Sequence, residues 1–120
     1  MNKRESIDLM AKFYIVREAV EDNYLPDEVV NGVLWVLDGY NQKGEETVSK
    51  DKIIEESFDK ITQHPNFYGS TEKVHPCIKR TLEYFVSKEI ISKSNGDIIF
   101  PLRCEKYLNG NHNKEKNENK

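Results

Sequence analysis

The stretch KVHPCIKRTLEYFVSKEIISKSNGDIIF, residues 73–100, constrains the fold more strongly than any other part of the chain. Its first half places apolar residues on one helical face and charged residues on the other, which predicts an amphipathic helix over about residues 74–89. Two short β-branched runs follow, separated by Asn95 and Gly96. Because both central positions of a tight hairpin turn need a positive φ, this dipeptide predicts a β-hairpin over about residues 90–101. The expected fold class is therefore mainly α with a small β-hairpin.

Three more helices are predicted before this passage. The first spans about residues 6–22, where apolar residues recur at helical spacing. Its apolar stripe consists of Ile7, Met10, Phe13, Tyr14, Val16 and Val20. We interpret Phe13 and Tyr14 as core residues. The functional alternative is that this helix packs against its copy in a second chain.

The second predicted helix spans about residues 26–41 and starts with a proline, which is well tolerated there because its missing amide would have no helical partner. From Val29 to Leu37 the segment is apolar nearly all round. This pattern predicts the central buried helix of the fold. Trp35 and Tyr40 are interpreted as core residues, and Asp38 as a surface residue.

The third predicted helix spans about residues 49–63. Ser49 supplies a side-chain oxygen of the kind that caps helix N-termini, and Pro65 ends the helix because the residue before a proline is pushed out of helical geometry. The following segment, HPNFYGSTEKVHP, begins and ends with the same His-Pro dipeptide. We interpret the two prolines as a stop for one helix and a start for the next.

Neither a metal site nor an active site is predicted. A metal site would need His64, His75, Cys77 and Cys104, but no second pair at zinc-type spacing accompanies His75 and Cys77. A redox-sensitive thiolate at Cys77 is the alternative to an ordinary packing role. The chain also lacks a glycine-rich phosphate loop, GxSxG and HExxH. We therefore expect no enzyme activity and no cofactor.

Composition sets the domain organisation and the compartment. The chain has 120 residues, with 37% hydrophobic and 32% charged residues, and this balance predicts one domain over residues 1–108. Residues 109–120 contain no apolar residue and are predicted to be a disordered polar tail. No apolar run is long enough to span a membrane, and the two cysteines lack disulfide-framework spacing. A cytoplasmic location is expected.

Charge is distributed unevenly along the chain. The net charge is −3, and residues 1–46 carry 5 basic and 10 acidic side chains, whereas residues 73–93 are locally basic. The basic residues of that segment are Lys73, Lys79, Arg80, Lys88 and Lys93. The ordinary explanation is a solvated helix face and a hairpin edge that lysine protects from pairing. A local basic face is also compatible with nucleic-acid binding by an acidic chain.

Residues 47–102 resemble the winged helix-turn-helix superfamily. The capped helix VSKDKIIEESF, the helix-to-hairpin passage TLEYFVSKEIISKS and the turn SNGDIIF carry the resemblance, which covers about half of the chain. It identifies a superfamily and no specific family within it. The resemblance implies a winged-helix domain with extra N-terminal helices, in which the second helix of the motif enters the major groove and the wing contacts phosphates or the minor groove.

The resemblance also implies a function and a set of site residues. It implies sequence-specific binding of double-stranded DNA by a small transcriptional regulator of bacterial, plasmid or phage origin, acting as a homodimer. The DNA-binding residues implied by position are Lys73, His75, Lys79, Arg80, Tyr84, Lys88, Lys93 and Asn95. The alternative is a winged-helix protein-interaction module without DNA binding, for which the acidic N-terminal half would be the relevant surface.

Overall fold

The described part of the protein is mainly helical, with four helices and a small three-stranded antiparallel sheet. The computed structural model describes residues 7–65, 67 and 69–104. The helices are α1 (Leu9–Asn23), α2 (Asp27–Gln42), α3 (Lys50–Thr62) and α4 (Val74–Ser87), and a single 3-10 turn, Thr71–Lys73, leads into α4. The strands are β1 (Thr47–Ser49), β2 (Ser92–Ser94) and β3 (Asp97–Ile99), in the order β1-β3-β2.

The predicted helices and the hairpin are confirmed, and each boundary agrees to within a few residues. Asn95 and Gly96 both have positive φ, 51° and 86°, as the turn requires. The hairpin is extended to a three-stranded sheet that the sequence does not predict, because β1 pairs with β3 and places Val48 opposite Ile98. Three residues carry too little periodicity to predict a strand. The predicted start of the first helix at residue 6 and the tail at residues 109–120 lie outside the described residues.

The central helix of the fold is α2, as its apolar sequence predicts. It packs against α1, α3 and α4. Its fully buried residues include Val30, Val33, Leu34 and Leu37. None of the helices in the described part of the chain is long and apolar enough to cross a membrane.

Helix α1 packs with a different face from the one its bulky apolar residues predict. Ala11, Ile15 and Ala19 are fully buried, whereas Met10 and Phe13 each keep 56% of their surface exposed. The predicted inner stripe is therefore wrong at Met10 and Phe13. Residues spaced four apart with two alanines among them form a smooth helix surface, which allows close approach of the neighbouring helix.

A buried ion pair joins α1 to α2. Lys12 Nζ lies 3.0 Å from Asp38 Oδ2, and Asp38 is fully buried. The carboxylate also accepts the amide N–H of Ile7, at 3.2 and 3.3 Å from its two oxygens, and a hydrogen bond from Gln42 Nε2. The ammonium lies 3.4 Å from the centre of the Trp35 ring. The interpretation of Asp38 as a surface residue is wrong, because sequence alone does not show that Lys12 folds over it.

Removing one partner of this pair should destabilise the fold. Lys12→Met takes away the ammonium that compensates the buried Asp38 carboxylate, so we expect a loss of about 3 kcal/mol in the free energy of unfolding. Denaturant unfolding monitored by circular dichroism measures it. Adding Asp38→Leu should restore part of that loss, because the double variant no longer buries a charge. Purely additive destabilisation by the two substitutions would contradict this account.

Two glycines of α2 should respond to alanine in opposite directions. A Cβ at Gly32 would come within 2.5 Å of Ile61 Cγ1, whereas a Cβ at Gly39 would meet nothing within 4 Å. Gly32→Ala should therefore destabilise the protein by about 1–3 kcal/mol through overpacking. Gly39→Ala should stabilise it by about 0.5–1 kcal/mol, because alanine is the better helix former. Thermal unfolding of the two variants tests the difference, and equal effects would contradict the packing seen at Gly32.

Candidate nucleic-acid interface

The outer face of α4 is the first part of the candidate interface. Ile78, Leu82 and Phe85 face the core and are almost completely buried. On the other side Lys79 and Arg80 are exposed, together with the acidic Glu83. In the N-terminal half of α4, the amphipathic pattern of the sequence therefore predicts correctly which side chains are exposed.

The tip of the β2–β3 hairpin is the second part. Lys93 and Asn95 are exposed there, and Gly96 O accepts the amide N–H of Lys50 at 2.8 Å. This bond places the tip beside the first residue of α3. The turn is held in its positive-φ conformation by Asn95 and Gly96, so the side chains of the tip are directed by a defined backbone.

Three lysines of the candidate interface form no ion pair within the part of the chain that the structure describes. Lys73 precedes α4, Lys79 lies on its outer face and Lys93 lies on the hairpin, and all three are exposed. Among the described residues none of the three takes part in an ion pair. Each can therefore release a counterion when it meets a phosphate, without first breaking an internal contact.

Arg80 has a structural contact in addition to its exposure. Its Nη2 donates a hydrogen bond of 3.0 Å to the carbonyl oxygen of Asn23, at the C-terminal end of α1. A carbonyl oxygen does not neutralise the guanidinium, so the positive charge remains on the surface. Arg80 thus links α4 to α1, a role that the sequence pattern of α4 does not reveal.

Tyr84 is not on the exposed face, and its predicted placement there is corrected. Only 7% of its surface is exposed, and its hydroxyl donates to Glu18 Oε1 at 3.4 Å. Burial raises the pKa of Tyr84, and the nearby carboxylates of Glu18 and Asp22 raise it further. The cause is α1, which covers this side of α4. A helical pattern within α4 cannot show which neighbouring helix will cover it.

His75 and Lys88 are also only partly available to a ligand. The His75 ring stacks on Phe58 of α3, with centroids 4.3 Å apart, and its Nε2 lies 3.3 Å from Glu55 Oε2. The ammonium of Lys88 lies 5.7 Å from the centre of the Tyr84 ring, and its side chain is half-buried. His75 therefore holds α4 to α3, whereas Lys88 lies back along α4 itself. The exposed members of the predicted set are Lys73, Lys79, Arg80, Lys93 and Asn95.

A second surface, which the sequence interpretation missed, is an apolar groove of about 770 Å³ between α1, α2 and α3. Phe13 and Trp35, both expected in the core, line it with 56% and 42% of their surfaces exposed. Its other apolar residues are Leu9, Val16, Val20, Ile61 and Phe67. The available signal was that α1 carries two apolar stripes, since a helix buried on one side leaves the other stripe in solvent.

Nothing at the cysteines or histidines forms a metal centre in the described chain. Over residues 7–65, 67 and 69–104, no group of three or more histidine, cysteine, aspartate or glutamate side chains could hold a metal ion. Within the same ranges Cys77 is half-buried, Cys104 is buried, and no disulfide joins them.

No family model, curated protein or solved structure matches the chain.

The raised pKa of Tyr84 predicts a loss of stability in alkali. The stability that the folded protein gains from the environment of the neutral Tyr84 hydroxyl is fully present below the ordinary tyrosine pKa of 10.0. Above that pH the unfolded chain loses the proton more readily than the folded chain, so the free energy of unfolding falls. Tyr84→Phe should show a shallower decline than the wild type in denaturant unfolding across this pH range. Tyr24→Phe, at a side chain that is 90% exposed, is the matched control and should follow the wild type. Equal slopes for all three proteins would contradict the prediction.

Proposed function

We propose that this chain binds double-stranded DNA through α4 and the β2–β3 hairpin, as a small winged-helix regulator without catalytic activity. The observation that carries the proposal is a set of exposed lysines on and just before those two elements, Lys73, Lys79 and Lys93, which form no ion pair with any other described residue. Lysine neutralises phosphates and releases condensed counterions, which supplies sequence-independent affinity for the duplex.

The arrangement of the elements supports the winged-helix resemblance. One short strand precedes α3, α4 follows, and the hairpin after α4 returns so that β3 pairs with that first strand. This order joins the hairpin to the helix pair through the sheet. The hairpin tip and the outer face of α4 therefore keep a fixed relation to each other, as a two-part contact with a duplex needs.

Acidic residues near the lysines limit the number of phosphates that the protein can contact. Glu83 on α4 and Asp97 on the hairpin are exposed and would repel phosphates. The proposal therefore assigns about three phosphate contacts, with an expected slope of about −3 for the logarithm of the affinity against the logarithm of the salt concentration. Base recognition falls to Arg80 and Asn95, whose side chains can bond base edges bidentately.

The alternative function is a protein-interaction module that binds no DNA. The exposed apolar groove between α1, α2 and α3 favours it, because such surfaces commonly mark protein contacts. The two functions are separated by whether the protein has any salt-dependent affinity for duplex DNA.

The test is binding to duplex DNA over a salt series. Lys79→Gln and Lys93→Gln should each weaken binding at low salt and reduce the salt slope by about 1. Both lysines are exposed, so neither change should disturb the fold. Arg80 is left unchanged in this test because its contact with Asn23 could confuse a loss of binding with a loss of packing.

Lys43→Gln is the matched control. It removes the same charge from an exposed position at the end of α2, outside α4 and the hairpin. It should change the salt slope less than either interface variant. No affinity of the wild type even at low salt would reject the DNA proposal and favour the protein-interaction module. Equal effects of all three substitutions would show a general charge effect and would reject this interface.

A further inference from the structure

The exposed apolar surface of the protein is concentrated on one face. Leu9, Met10, Phe13 and Trp35 keep 69%, 56%, 56% and 42% of their surfaces exposed. The first three lie within the first two turns of α1. We call the surface formed by these residues and the adjoining groove the α1 face. It has a ridge, the start of α1, directly beside a concave groove whose lining includes Trp35 and Ile61.

We propose that the α1 face binds a second copy of this chain in a two-fold symmetric homodimer. In such a contact the same patch serves both partners, so a ridge and a groove must lie together on one surface. The α1 face has this form: the ridge residues of one copy can enter the groove of the other, and the reverse contact follows from the symmetry. The inference does not depend on DNA binding.

Two basic residues beside the ridge, Lys12 and Arg17, are already paired within the chain. Lys12 pairs with the buried Asp38, and Arg17 Nε donates to Glu21 Oε2 at 3.1 Å. Covering the α1 face would therefore bury apolar side chains without leaving these charges uncompensated. Burial of an uncompensated charge is the main cost that prevents association at a charged surface.

The rim of the groove carries charges of both signs. Asp27 and Glu28 lie on it at the start of α2, and Lys60 lies on it in the last turn of α3. A surface that pairs with itself must be its own electrostatic complement, and a rim of a single sign would repel its copy. The mixed rim favours a second copy of this chain over a partner of uniformly opposite charge.

The exposed apolar area of these side chains supplies more than half of what one partner buries in a standard interface. The four ridge and groove side chains expose roughly 450 Å² together, since a large side chain offers about 200 Å² when it is free. A standard interface takes about 800 Å² from each partner. The partly buried Val16, Val20 and Phe67 also line the groove and add to the area that a second copy would cover.

The test is the mass of the protein against its concentration, by sedimentation velocity and by light scattering. We expect the wild type to convert from monomer to dimer as its concentration rises. Phe13→Asp should raise the dimer dissociation constant at least about 100-fold, because the dimer would have to bury an uncompensated carboxylate. Leu9→Asp, at the most exposed ridge residue, is a second variant at a position where folding does not depend on the side chain.

Tyr24→Asn is the matched control for removal of an exposed large side chain. Tyr24 is 90% exposed, does not line the groove, and has a φ of 55° that asparagine tolerates well. This variant should dimerise like the wild type. Circular dichroism and thermal unfolding establish that each variant is folded before its mass is interpreted.

Trp35 reports on the groove directly, because it is the single tryptophan of the chain. In the wild type its fluorescence should shift to the blue, and its quenching by acrylamide should fall, as the dimer forms. Neither change should occur in Phe13→Asp over the same concentrations. A wild type that stays monomeric overturns the inference, as does a dimer that Phe13→Asp and Leu9→Asp leave intact. A dimer that leaves Trp35 as accessible as in the monomer overturns it as well, because the contact would then lie elsewhere.

Discussion

The ion pair between Lys12 and Asp38 fixes how α1 lies on α2. A carboxylate that is fully buried needs a cation and hydrogen-bond donors, and the observed rotation of α1 brings the Lys12 ammonium to Asp38 while the chain just before the helix brings the Ile7 amide. That rotation turns the small residues Ala11 and Ala19 toward the core. The bulky residues of α1 could supply more apolar burial, but burying them would leave the Asp38 carboxylate without these partners. The observed packing therefore satisfies the electrostatic requirement of Asp38 and leaves the bulky residues Met10 and Phe13 exposed.

The two surfaces with functional proposals both depend on this placement of α1. One side of the helix presents Phe13 and its neighbours to the groove, where we propose that a second copy binds. Its C-terminal half lies beside α4, where Glu18 contacts Tyr84 and the carbonyl of Asn23 accepts a bond from Arg80. Helix α1 thus joins the proposed dimer face to the proposed DNA-binding helix. A change in the packing of α1 would alter both surfaces together.

The acidic end of α1 also restricts the proposed DNA contact. Glu18 and Asp22 lie close enough to Tyr84 to raise its pKa, so this flank of α4 carries two carboxylates beside Arg80. The other flank is formed by Lys73, Lys79 and the hairpin residue Lys93. A duplex would be attracted more strongly to the second flank, which orients it across the N-terminal half of α4 and the hairpin tip. Tyr84 belongs to the packing of the protein in this arrangement.

Local sequence patterns determined the helices, the hairpin and the exposed lysines of this protein. Asn95 and Gly96 specify their turn because each tolerates positive φ, and the periodicity of α4 separates Lys79 from Phe85 without information from elsewhere in the chain. Only the tertiary structure decided the burial of Asp38 and Tyr84 and the exposure of Phe13 and Trp35. Each of these depends on which face another helix covers. That choice depends on contacts between residues far apart in sequence, such as Lys12 with Asp38 and Glu18 with Tyr84. The periodicity of a single helix gives no information about such contacts.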